Sequence, residues 1–189
     1  NEGRQEAIQL FQKLYEMSPH HPLALDARLK QGVRLLNLNQ IDLAQAVFSS
    51  VLPELKQNDQ IIWCRYLLQK CLLNSHKQAL AVSSAQLEML LKEVMPLSLR
   101  LEIVLQLAFI YKDEGNLNAL QKLLWDESYP LLTRENPLFT VNEVYWLSRC
   151  LFVLVQNTND KNVVHQIYTL MVEADLPNAS LIQQYLEGM

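Results

Sequence analysis

The sequence predicts an all-α fold built from antiparallel helix pairs, and three observations carry that prediction. Half of the 189 residues are hydrophobic, while only four are glycine and seven proline. That is ample for a continuous core, with few breakers inside elements. Apolar residues recur at intervals of three and four, and runs of β-branched residues alternating with period two are absent, so a sheet has little to be built from. Finally, Arg28 to Phe48, RLKQGVRLLNLNQIDLAQAVF, reads as one helix-turn-helix unit, and the rest of the chain reads as imperfect copies of it.

Within that unit Gly32 and Ala44 put small residues where two helices cross, Leu35 and Phe48 fill the groove between them, and Asn37 to Asn39 make the turn. Before it, residues 2–17 form a helix with Ala7, Ile8, Phe11, Leu14 and Tyr15 on one stripe. It is stopped by Ser18-Pro19-His20-His21-Pro22. Residues 23–37 and 40–56 are the central pair. Gln60 to Leu73 follows, with Ile61, Cys64, Leu67, Leu68, Cys71 and Leu72 inward and Asn58-Asp59 as its cap. Its mate runs from about His76 to Val94, with Ser83-Ser84 interrupting the apolar face, and stops before Pro96.

The next pair spans Leu99 to Trp125. Gly115 suits a left-handed helix end and Asn116 caps the following helix. Tyr129 to Pro137 reads as a loop with two prolines. Thr140 and Glu143 form a capping box opening another helix, apolar on more than one face and so buried between neighbours. Asn157 to Lys161 is a turn, and Val163 to Met171 is the antiparallel mate. A short last helix covers about Ala179 to Glu187.

The pattern of small residue, large apolar residue, then Ala44-x3-Phe48 resembles a tetratricopeptide (TPR) repeat. Ala7/Phe11 followed by Pro19, and Ala108, Tyr111 and Gly115-Asn116-Leu117, echo it. Leu120 stands where the repeat has Ala. Taking Gly32, Leu68, Ala108 and Ser148 as equivalent crossing positions gives steps of 36, 40 and 40 residues. The resemblance implies an α-α superhelix, a TPR-like solenoid of about four and a half antiparallel hairpins, forming a single domain over 1–189. Because the chain opens inside what reads as the second helix of a unit, the expectation is a fragment of a longer protein.

Chemistry is not what the sequence advertises. The formal charge of −4 comes from 16 Lys/Arg and 20 Asp/Glu. Basic residues such as Arg28, Lys30 and Arg34 are dispersed rather than clustered, so direct nucleic-acid binding is not expected. His20, His21, His76 and His165 lack metal-ligand spacing, no phosphate-cradling glycine loop or nucleophile elbow occurs, and Glu102 and Asp113 read as helix-surface residues. No enzyme activity, cofactor or metal is therefore expected. Cys64 and Cys71 lie about 10 Å apart along one helix, too far for a disulfide. With Cys150 they read as buried free thiols of an intracellular, cytoplasmic protein. No apolar run approaches a membrane span. Asn178-Ala179-Ser180 fits a glycosylation sequon but reads as the start of the last helix.

What the resemblance implies is a non-catalytic scaffold or adaptor that binds another protein or peptide within a multiprotein complex. The first helix of each hairpin would line a groove, presenting Asp26, Leu29, Val33 and Leu36, then Glu102, Leu105, Phe109 and Lys112. Chaperone-binding members hold a terminal carboxylate with Lys and Asn at such positions; Leu29 and Val33 stand here instead, so an apolar groove for a helix or extended segment is expected. Arg65, Tyr66, Gln69, Tyr145 and Arg149 are further interface candidates, because aromatic and Arg side chains anchor interfaces. The competing reading is a sensory or oligomerisation domain of a larger regulatory protein, such as a transcription regulator, with self-association.

Overall fold

The computed structural model describes residues 2–19, 21–75, 79–134 and 138–188, without the side chains of Glu2 and Arg4. The helices in order are α1 (Glu2–Met17), α2 (Pro22–Asn37), α3 (Ile41–Val51), α4 (Asn58–Asn74), α5 (Leu80–Leu90), α6 (Leu97–Asp113), α7 (Leu117–Leu132), α8 (Val141–Gln156), α9 (Lys161–Glu173) and α10 (Ala179–Gly188). No strand occurs among the described residues, and the fold is all-α. The chain divides into two compact units, Asn1–Met95 and Pro96–Met189.

In the first unit α2 packs against α1, α3 and α4. Leu25, Leu29, Leu36, Phe48, Cys64, Leu67 and Cys71 form the core between these helices. The crossing of α2 and α3 has the predicted small-against-large form. A Cβ added to Gly32 would lie 2.4 Å from Cε1 of Phe48, so the ring occupies the space that glycine leaves free. Asn39 makes the turn at φ 60°, a region Asn tolerates. The Gln40 amide closes it by donating to the Leu35 carbonyl at 2.9 Å.

Three boundaries differ from the sequence reading. Helix α3 stops at Val51 and gives way to a 3₁₀ turn at Leu52–Glu54, because Pro53 cannot continue the helical hydrogen-bond ladder. Asn58 and Asp59 lie inside the first turn of α4, whose preceding residue Gln57 makes no side-chain cap. Helix α5 is shorter than residues 76–94, and the expected start at His76 lies outside the described residues. Ser83 and Ser84 do not interrupt its buried face; they belong to it, with Leu87 and Leu90.

In the second unit α6 packs on α7 and α8, and α8 also meets α9 and α10. Leu101, Leu107, Ala108, Leu120, Leu124, Leu147, Cys150 and Leu151 are fully buried. Gly115 ends α6 at φ +72°, and the Asn116 side chain accepts from the Ala119 amide at 3.2 Å to begin α7. Arg100 of α6 clasps Glu127 of α7 through two bonds of 2.6 Å. The capping box is complete, with the Thr140 amide donating to Glu143 at 2.7 Å and the Glu143 amide to Thr140 at 3.3 Å.

The loop expected from Tyr129 is instead the last turn of α7, which runs through Pro130 to Leu132. Pro130 removes one helical donor near the end of the helix, where little of the ladder remains. Buried Leu131 and Leu132, together with Tyr129 stacked on Trp125 at 4.1 Å, hold that turn in place. Residues 135–137, the rest of the expected loop, lie outside the described residues. Asn178, at φ 72°, precedes α10, and its carbonyl accepts from the amides of Leu181 and Ile182.

Candidate partner-binding surfaces

Helices α2, α4, α6 and α8 open the helix pairs, and the expected interface residues lie on them. A helix flanked by two or three others has one narrow stripe left for solvent, so the register of that stripe decides what a partner can touch.

On α2 the stripe is Leu23, Lys30, Arg34 and Asn37, all exposed. Leu29 (0%) and Leu36 (9%) are core residues instead, and Val33 is partly buried against the same core. The sequence reading was about one residue, or 100° of helix rotation, away from the open face. Asp26 is bound to Lys30 at 2.7 Å. The signal that could have found the true face was the basic pair at i and i+4, Lys30 and Arg34.

On α4, Arg65 is exposed and Gln69 half-buried, while Tyr66 is 1% exposed and belongs to the core. The Tyr66 ring carries the Lys70 ammonium 5.4 Å from its centroid. Arg65 reaches Glu93 at 3.3 Å. With Gln69, Gln86, Met89 and Leu90 they line a cleft of about 230 Å³ between α4 and α5. Its chemistry is amphipathic: a charge pair and two amides around a methionine that is 66% exposed.

On α6, which packs against both α7 and α8, Leu105 is 3% exposed and belongs to the core. Phe109 and Glu102 are half-buried and Lys112 is exposed. On α8 the open stripe is Asn142, Tyr145, Arg149 and Gln156, with Phe152 half-buried among them. Here two expected residues meet: Arg149 donates to the Tyr145 hydroxyl at 2.9 Å, with its guanidinium 5.5 Å from the ring centroid. Trp146 meets Tyr145 edge-on at 4.9 Å. Helices α6 and α8 pack together, so Phe109 and Lys112 lie on the helix that neighbours the one carrying Tyr145, Arg149 and Phe152.

Cys64, Cys71 and Cys150 are buried free thiols. Burial pushes Cys64 up to about 12, with a contribution from Cys71, and Cys71 itself to about 11. Burial likewise pushes Cys150 up to about 12. These thiols are therefore protonated at neutral pH and poor nucleophiles. No group of three or more His, Cys, Asp or Glu that could hold a metal ion occurs among the described residues. No helix of the described residues is long and apolar enough to cross a membrane.

Comparison with solved structures agrees with the helix-pair architecture. The chain is similar to the crystal structure of a Podosopora anserina putative kinesin light chain with nearly identical TPR-like repeats. The TM-score is 0.60 at 14% identity, over 90% of this chain and 88% of that one. A single-substitution variant of the same protein gives a TM-score of 0.62 at 14% identity, over 91% and 88%. No family model matches the chain, and no curated protein matches it. The fold is thus a TPR-like helical repeat, and at this identity the likeness is one of fold.

Proposed function

We infer that the chain is a non-catalytic protein-interaction module that holds a partner polypeptide on the open stripes of the first helices of its pairs, as part of a larger assembly. The observation that carries this reading is the Tyr145–Arg149 pair. Two large side chains stand in solvent on α8, each fixed by the other, and α6, which packs against α8, carries half-buried Phe109 and exposed Lys112. Pre-ordering of this kind lowers the entropy lost on binding, and Tyr and Arg are the residues whose truncation costs most at interfaces. The mixture of aromatic rings and cations fits a peptide segment bearing apolar and acidic side chains. Three buried cysteines placed without a disulfide fit an intracellular setting.

Tyr145→Ala and Arg149→Glu test it. Both sites are exposed, so circular dichroism should be unchanged. Truncation at an interface anchor should weaken partner capture by at least about 10-fold. An unchanged set of captured proteins would remove the α6/α8 face as the interface.

The sensory reading has one observation in its favour. A cleft of about 710 Å³ lies between the start of α2, the turn after α3 and the start of α4, lined by Pro22, Leu25, Pro53, Glu54, Leu55 and Gln60 among others. Its size suits a small ligand. A thermal shift with a metabolite, abolished by Gln60→Trp at the partly open wall of the cleft, would favour this reading over a protein partner.

A further inference from the structure

The cleft between the starts of α2 and α4 carries one carboxylate and one ammonium group, and the local backbone explains why they stand side by side. The chain leaves the 3₁₀ turn at Leu52–Glu54 extended, with Leu55 at φ −70° and ψ 137°. Leu55 is 7% exposed and belongs to the core of the first unit. The neighbours of an extended residue point to the opposite side, so Glu54 and Lys56 both turn from the core to the cleft, which they line. Two positions apart on extended chain, their backbones are separated by about 6–7 Å. Glu54 is half-buried, and the Tyr15 hydroxyl donates to it over 3.5 Å, which orients the carboxylate without neutralising it. Lys56 is exposed. Pro22, Leu25 and Pro53 add apolar wall, and Gln60 adds an amide.

We propose that this cleft binds a free dipeptide with apolar side chains, its ammonium end at Glu54 and its carboxylate end at Lys56. The proposal deepens the small-ligand reading of the cleft and rests on it. Paired opposite charges select against a ligand of one sign, because an anion would meet Glu54 and a cation Lys56. A zwitterion gains a charge-assisted hydrogen bond at each. Spacing then chooses among zwitterions. Two extended residues span about 7 Å, which matches the separation of Glu54 and Lys56. A single amino acid holds both charges within one residue and falls short of one partner, and a longer peptide carries its carboxylate past Lys56. The apolar walls receive the side chains, and a volume of about 710 Å³ is enough to enclose such a molecule. For a ligand of this size the dissociation constant is on the order of 0.1 mM.

Isothermal titration of the whole chain with leucyl-leucine tests this, with N-acetyl-leucyl-leucine, leucyl-leucine amide and free leucine beside it. The expected result is binding of the dipeptide on the order of 0.1 mM, and binding at least about 10-fold weaker for each of the others. Glu54→Gln keeps an oxygen for the Tyr15 hydroxyl, and Lys56→Gln changes an exposed side chain, so circular dichroism should be unchanged in both. Glu54→Gln should cost the dipeptide about 10-fold and leave the acetylated form as it was; Lys56→Gln should cost the dipeptide as much and spare the amide. No heat from leucyl-leucine up to about 5 mM, or equal losses for the dipeptide and its acetylated form in Glu54→Gln, would overturn the proposal. In that event a thermal shift by another metabolite, abolished by Gln60→Trp, would leave the small-ligand reading standing without the dipeptide. The absence of any such shift would remove both.

Discussion

Gly32 and Phe48 show how one residue sets the spacing of two helices. The Phe48 ring is fully buried, so admitting a Cβ at Gly32 forces it to shift within a packed core. Gly32→Ala therefore trades a helix-propensity gain of about 1 kcal/mol for overpacking of about 2–3 kcal/mol. We expect a net loss of about 1–2 kcal/mol in urea denaturation by that balance. Combined with Phe48→Leu, the loss should be less than the sum of the single changes. This contact was legible in the sequence, because a glycine sixteen residues before a phenylalanine, across a turn, has few other uses. Leu29, Leu36, Tyr66 and Leu105 were placed on the wrong face for the opposite reason: in helices hemmed in on several sides, most residues are apolar and neighbouring stripes look alike.

The cysteines bear on the same scale. Their folded values lie above the ordinary 9.0, at about 11 to 12. The unfolded chain thus releases these protons first as pH rises. Their contribution to stability is complete below pH 9 and is lost as pH climbs through the folded values. Alkylation at pH 8 should modify none of the three thiols in the native protein within minutes and all three in denaturant, as read by mass spectrometry.

At the scale of elements, the ends of helices are set by single groups. Loss of the Thr140 hydroxyl in Thr140→Ala leaves the Glu143 amide without its partner and should cost about 1 kcal/mol. The Arg100–Glu127 clasp ties α6 to α7 with both side chains about a quarter to a third open. A double-mutant cycle with Arg100→Ala and Glu127→Ala should return a coupling of about 1 kcal/mol that shrinks with added salt. Capping signals such as Thr140/Glu143 and Gly115-Asn116 were readable because they act through near neighbours in sequence. The continuation of α7 through Pro130 was not, since it rests on the burial of Leu131 and Leu132 and on the Trp125–Tyr129 stack, which are tertiary facts.

At the scale of the molecule, the helix-pair architecture followed from periodicity and small-residue spacing, both of which survive in a degenerate repeat. The open surface did not, because exposure depends on how many neighbours a helix acquires. Of the expected interface residues, Arg65, Lys112, Tyr145 and Arg149 are exposed, and Val33, Gln69 and Phe109 are half-buried. The exposed ones are charged or aromatic, and the buried ones are leucines and Tyr66.

The central claim, that the α6/α8 face holds a polypeptide partner, is tested most directly by a photo-reactive amino acid placed at position 145. Position 172 on α9, where Val172 is 52% exposed, serves as the control. Illumination in a cell extract should join position 145 to one discrete polypeptide and leave position 172 unjoined. No adduct at 145, or the same adducts at both positions, would contradict the account.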